Sequence, residues 1–190
     1  MVGSPPGVDD VLDMGAAMSG LVADARTLVE HARVEAQNHW FTFNEKLRVL
    51  STAQSICDLA LGFGEGSSKK SKARMSRPFG VAFLIAGVDD TGPQLYHTDP
   101  SGTFTKYKAK AIGQGSEGAQ ATLLEEYSPA MTLKEAQILA LSILKQVMEE
   151  KINSINVEIA IVRSNTKKYQ VLSKDEIQNL ISALPAGPLA

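Results

Sequence analysis

Cysteine is almost missing from this 190-residue sequence: Cys57 stands alone. No internal disulfide can form, and the single thiol is expected to pack as a small apolar side chain in a reducing compartment. Neither sign of charge is in surplus. Nineteen Lys and Arg against twenty-one Asp and Glu leave a formal net charge of −2, so nothing drives a general attraction to nucleic acid or to an anionic membrane. No stretch reaches the roughly 18 consecutive apolar residues that cross a bilayer. Met1–Asp13 lacks the basic n-region and the unbroken apolar run of a secretory signal. A soluble, intracellular protein with no nucleic-acid or membrane partner is therefore expected.

The chain has 44% hydrophobic and 21% charged residues, ordinary globular usage that fits one domain with one compact core. Gly3, Ser4, Pro5, Pro6 and Gly7 make residues 1–13 a breaker-rich start, expected to be disordered. Met14–Met18 is a run of small and apolar residues. After it, Leu21, Ala25, Leu28, Val29, Ala32 and Ala36 mark one stripe of a helix that should face a sheet. A second helix is expected from Lys46 to Leu61, with Val49, Ala53, Ile56, Cys57 and Ala60 inward and Gly62 and Gly64 as stops.

From Glu65 to Arg77 the chain is polar, and Lys69, Lys70, Lys72, Arg74 and Arg77 suit an exposed basic loop. Three strands in a meander follow, at Phe79–Gly87, Gln94–His97 and Thr103–Ile112. The turn Asp99-Pro100-Ser101-Gly102 lies between the last two. Helices are expected at Ser116–Glu126 and at Thr132–Lys151. The second opens on the capping box Thr132/Glu135 and should turn Leu133, Ala136, Ala140, Leu144, Val147 and Met148 inward. Glu158–Val162 and Lys168–Leu172 read as a hairpin. A second capping box, Ser173/Glu176, opens a last helix with Ile177, Leu180, Ile181 and Leu184 inward. Pro185 ends it and residues 185–190 form a tail. Paired helices alternating with groups of strands argue for an α+β fold with mainly antiparallel pairing.

Candidate chemistry is sparse. Gly113-Gln114-Gly115-Ser116-Glu117-Gly118 matches the G-x-G-x-x-G pattern of dinucleotide sites. That pattern works inside a βαβ unit with an acidic residue closing the next strand, whereas here a second helix follows. Close backbone packing at a strand-to-helix turn is the preferred account. His97, Asp99 and Ser101 are the residue types of a hydrolase triad, but they sit two apart across one tight turn, while triad members converge from separate elements. His31 and His39 lie eight apart without a cysteine or third histidine nearby, which does not make a metal site. The Lys69–Arg77 cluster reads as a solvated loop, with an import signal or a contact to an acidic partner as the alternative. Asp24, Arg26, Glu30 and Arg33 read as an ordinary charged helix face. No catalytic, cofactor-binding or metal residue is therefore assigned.

A resemblance runs through these segments. Gly15-Ala16-Ala17-Met18-Ser19-Gly20-Leu21-Val22-Ala23-Asp24-Ala25-Arg26 is similar to the strand-to-helix junction of proteasome core particle alpha-type subunits. Arg77-Pro78-Phe79-Gly80-Val81, Gly92-Pro93-Gln94-Leu95-Tyr96, Asp99-Pro100-Ser101-Gly102, Ala111-Ile112-Gly113, Ser116-Glu117-Gly118-Ala119 and Met131-Thr132-Leu133-Lys134-Glu135-Ala136 follow in that family's order. The likeness covers residues 14–184. The runs Ala36–Phe41 and Leu144–Lys151 are most similar to one particular type within the family.

The resemblance implies a four-layer αββα sandwich of the N-terminal-nucleophile hydrolase type. It implies a non-catalytic ring subunit with neighbouring alpha and beta subunits as partners, no cofactor, and a cytoplasmic and nuclear location. It also implies that the family's Tyr-Asp element, its first helix and its first two strands lie outside this sequence. The gating tail and the lysine of the pocket for activator tails go with them, so activator docking is not expected. An aggregation-prone monomer or a non-assembling competitor of the ring is the alternative expectation. A beta-like threonine hydrolase would need processing that exposes an amino-terminal threonine.

Overall fold

A computed structural model describes residues 13–62, 77–148 and 150–184. Most of the expected basic loop (Lys69, Lys70, Lys72, Arg74), Gly64, most of the breaker-rich start, and Pro185 with the tail lie outside them. The element order is β1 (Met14–Gly20), α1 (Val22–Phe43), α2 (Val49–Leu61), β2 (Val81–Asp89), β3 (Gly92–Thr98), β4 (Phe104–Lys106), α3 (Ser116–Glu126), α4 (Leu133–Val147), β5 (Ala160–Val162), β6 (Tyr169–Val171) and α5 (Lys174–Ser182). The fold is α+β, and the chain divides into two compact units. The first runs through Tyr107 and includes Val162–Tyr169; the second holds Lys108–Ile161 and the chain from Gln170 on.

In the first unit, β1-β2-β3-β4 form one antiparallel sheet. Side chains alternate across a strand, and the register puts Met14, Ala16 and Met18 of β1 on the same face as Val81, Phe83 and Ile85 of β2 and Tyr96 of β3. That face carries α1 and α2, whose Ala25, Leu28, Ala32, Val49, Ala53, Ile56 and Ala60 complete the core. Small residues on the helices let them approach the sheet closely, while Phe83 and Ile85 fill the space between. On the other face, the ring of Tyr169 covers Gly15 so closely that an added Cβ would sit 2.0 Å from it.

The strand at Met14–Gly20 was not foreseen from residue pattern, since Gly and Ala are poor strand formers. Seven consecutive pairings to β2 create it. The expected strand Thr103–Ile112 shrinks to Phe104–Lys106. Beyond the last ladder bond, from Tyr107 N to Leu95 O at 2.9 Å, the chain enters the second unit. There Ala111 joins the core of α3 and α4, and its amide donates to Gln120 Oε1 at 3.0 Å. The Asp99–Gly102 turn forms as expected, with Gly102 N donating to Asp99 O at 3.1 Å.

In the second unit both capping boxes are present, at Thr132/Glu135 and Ser173/Glu176. Helix α4 stops at Val147 because Met148 turns extended and packs with Leu141, Ile152 and Val157. Val147 and Met148 pack inward as expected, but the rest of the inward face of α4 differs from expectation. Leu139 and Ile143 pack on α3 and Leu141 faces the α5 side, while Leu133, Ala140 and Leu144 are exposed. The run Ile138–Leu144 is apolar on several sides at once, so periodicity alone could not choose between them. Ile177, Leu180, Ile181 and Leu184 pack inward as expected.

Candidate functional site

The best-built polar arrangement lies where β1 becomes α1. Gly20 turns the chain at φ 128° with its backbone pressed against the start of β2: a Cβ there would lie 2.2 Å from the Gly80 carbonyl oxygen. Leu21 N donates to that same oxygen at 2.9 Å. One turn into α1, Asp24 is buried. Arg77 donates to both its carboxylate oxygens, Nη1 to Oδ2 at 2.7 Å and Nη2 to Oδ1 at 2.8 Å, and Gly80 N adds a third bond to Oδ2 at 2.9 Å. The Arg77 hydrogen bonds and then the Gly80 amide hold the Asp24 carboxyl below the usual aspartate range, against the opposing effect of burial. A bidentate guanidinium and an amide leave this carboxylate nothing to do but hold the junction together.

Asp24 is thus not part of an ordinary charged face, and Arg77 is not a free member of a basic loop. The signal was in the sequence. Asp24 lies three residues after Leu21 and four before Leu28, on the apolar stripe itself, where an acid needs a partner. Its partner, 53 residues away, carries no local mark. Leu21, placed on the stripe from spacing, is instead 53% exposed, because it caps α1 before the helix turns inward.

Because ionised Asp24 is favoured in the folded state, its contribution is present above the unfolded-state pKa and lost as pH falls through the lower folded one. Asp24→Asn is expected to melt below the wild type at neutral pH, with the gap narrowing below about pH 4. Thermal denaturation across pH checks this, and a gap independent of pH would exclude the ion pair as its source.

The other candidates do not converge. The Ser101 hydroxyl donates directly to Asp99 Oδ1, which also accepts from Ser101 N at 2.8 Å, so no histidine stands between nucleophile and acid. Burial pushes the Asp99 pKa up, but bonds from Ser101 and Thr103 and the nearby His97 outweigh it and leave the carboxyl low. His97 meets Tyr107 edge to face at 6.1 Å. His31 bonds Ser55 Oγ at 2.9 Å, and His39 Nδ1 lies 2.8 Å from Glu45 O, on separate turns of α1. Among the described residues no group of three or more metal-ligating side chains gathers, and no helix is long and apolar enough to cross a membrane. In the glycine-rich motif, Gly115 caps α3 at φ 72°, and a Cβ on it would meet Val147 at 2.2 Å. No strand leads directly into the motif, and α4 follows α3. It is a close-packing turn.

Sheet, helical layer and junction together define an α+β protein whose two best-matched motifs, Gly15–Arg26 and Arg77–Val81, meet in space. The chain belongs to the proteasome subunit family, whose profile matches residues 12–162. Its relatives include the proteasome subunit alpha type-5 of Dictyostelium discoideum, 58% identical over 168 residues, 88% of this chain and 69% of the relative. The probable proteasome subunit alpha type-5 of Schizosaccharomyces pombe is 60% identical over 169 residues, covering 89% and 68%. That of Trypanosoma brucei brucei is 52% identical over 181 residues, covering 93% and 73%. Alpha type five, also called zeta, is the type that Ala36–Phe41 and Leu144–Lys151 resemble.

Proposed function

We propose that this chain is a non-catalytic, ring-building alpha subunit of the proteasome core particle, acting in ubiquitin-dependent protein degradation. The observation that carries this reading is the likeness to alpha type-5 relatives, spread over nearly the whole chain: 88% of it at 58% identity with the Dictyostelium protein and 93% at 52% with the trypanosome one. Its partners are neighbouring alpha subunits and the adjoining beta ring, its location is cytoplasmic and nuclear, and it needs no cofactor. The two units are read as parts of a four-layer αββα sandwich. The helices grouped on one face of the first unit's sheet support that reading. The buried Asp24 carboxylate, saturated by Arg77 and the Gly80 amide, supports a structural rather than a catalytic role.

The test is size fractionation of cell extract, probed with an antibody to α4 and followed by mass spectrometry of the particle fraction. Peptides of this chain in the large particle, alongside other alpha subunits, are the expected result. The chain found only free would overturn ring membership and favour the competitor of assembly. A mature amino-terminal threonine in the particle-bound chain would favour the threonine hydrolase instead.

A further inference from the structure

The turn between β3 and β4 is braced by one carboxylate. Asp99 Oδ1 accepts from Ser101 N at 2.8 Å, from Thr103 N at 3.3 Å and from the Ser101 hydroxyl, whose oxygen lies 3.0 Å from Thr103 Oγ1. The main chain adds two bonds, Gly102 N to Asp99 O and Asp99 N to Thr103 O, both at 3.1 Å. Residues 99–103 are thereby fixed around a single side chain, as in an Asx-turn.

This bracing sets the position of Gly102. It stands at φ 80°, and a Cβ on it would lie 2.5 Å from Leu61 Cγ and 3.3 Å from the Cys57 carbonyl oxygen. The turn therefore rests on the last turn of α2, spanned by Cys57 and Leu61. That end of the helix has little else of its own to hold it. Its last turn carries no basic side chain to meet the negative end of the helix dipole, and Leu61 is half-exposed. Helix ends with such weak local support are the first parts to open. Yet Cys57 and Ala60, in this same stretch, are buried.

We propose that the Asp99-Pro100-Ser101-Gly102 turn is a latch that holds the C-terminal turn of α2 closed on the sheet, and that this end of the helix opens as a local unit when the latch loosens. Asp99 works at a distance: it touches no atom of α2 by hydrogen bond, but it sets the turn that presents Gly102 to Leu61. The absent side chain of Gly102 is what lets the turn seat. This latch does not depend on ring membership; it is a property of the purified chain.

The experiment is amide hydrogen exchange on the purified full chain at neutral pH, comparing residues 59–62 at the end of α2 with the ladder between β1 and β2. Asp99→Ala strips the turn of its acceptor without altering α2. It should speed exchange at residues 59–62 by at least about tenfold while the β1–β2 ladder changes by less than about threefold. Asp99→Asn keeps an acceptor oxygen and should restore most of the protection. Gly102→Ala drives a Cβ into Leu61 from the other side and should reproduce the Asp99→Ala pattern; if that variant does not fold, the two Asp99 variants decide. Unchanged exchange at residues 59–62 in Asp99→Ala overturns the proposal. So does an equal acceleration of helix end and ladder, which would make the turn a contributor to the stability of the whole unit and not a latch on one end of α2.

Discussion

Phe83→Ala is expected to lose about 3–5 kcal/mol of stability, the cost of emptying a large aromatic site in a close-packed core. Phe83 is 1% exposed near the start of β2, opposite Met18 of β1 and Thr98 of β3. The helices give its core cluster Ala25, Ala32, Ala53 and Ala60 beside Leu28, Val49 and Ile56, and alanines have no rotamers with which to collapse into the void. Against a total of about 5–15 kcal/mol for a native domain, this loss would leave much of the chain unfolded at mild denaturant concentrations. The urea midpoint followed by circular dichroism checks it. A fall of less than about 1 kcal/mol, the middle of the range for point changes generally, would mean that the helices do not close on the sheet as described.

Gly20→Ala is the second large effect, and it acts through backbone rather than volume. At φ 128° an alanine is strained by about 1–3 kcal/mol before any contact is counted. Its Cβ would also lie 2.2 Å from the Gly80 carbonyl oxygen and 2.9 Å from Val81 Cα. Both are main-chain atoms, which cannot rotate away. The start of α1 must then part from the start of β2, taking the Leu21–Gly80 bond and straining the Asp24–Arg77 clasp. The urea midpoint should fall by more than strain alone predicts. If Asp24→Asn and Gly20→Ala act on one junction, their double variant should cost less than the sum of the two.

Features fixed within a few residues were legible in the sequence. Thr132/Glu135 and Ser173/Glu176 announce helix starts because donor and acceptor lie three positions apart. Asp99-Pro100-Ser101-Gly102 announces a turn for the same reason. Features made by distant segments were not. β1 is a strand because β2 pairs with it, although Ala17 and its partner Leu84 are 67 positions apart in the chain. The inward face of α4 was chosen by α3 and α5, not by its own period. The junction lay between these extremes: Asp24 stood visibly out of place on an apolar stripe, but only the fold supplies Arg77.

Cys57 lies on α2 at 2% exposure, and burial, with the charges of Asp99 and Asp58, pushes its thiol up to about 11. At neutral pH only about one thiol in ten thousand is then ionised. A thiol-directed reagent must therefore wait for α2 to lift from the sheet. Because no other cysteine exists in the chain, the labelling rate is a clock for breathing of the first unit and is deaf to the second. The logarithm of its rate should rise in Phe83→Ala and Gly20→Ala in step with their lost stability, giving a readout of local opening that needs no engineered probe.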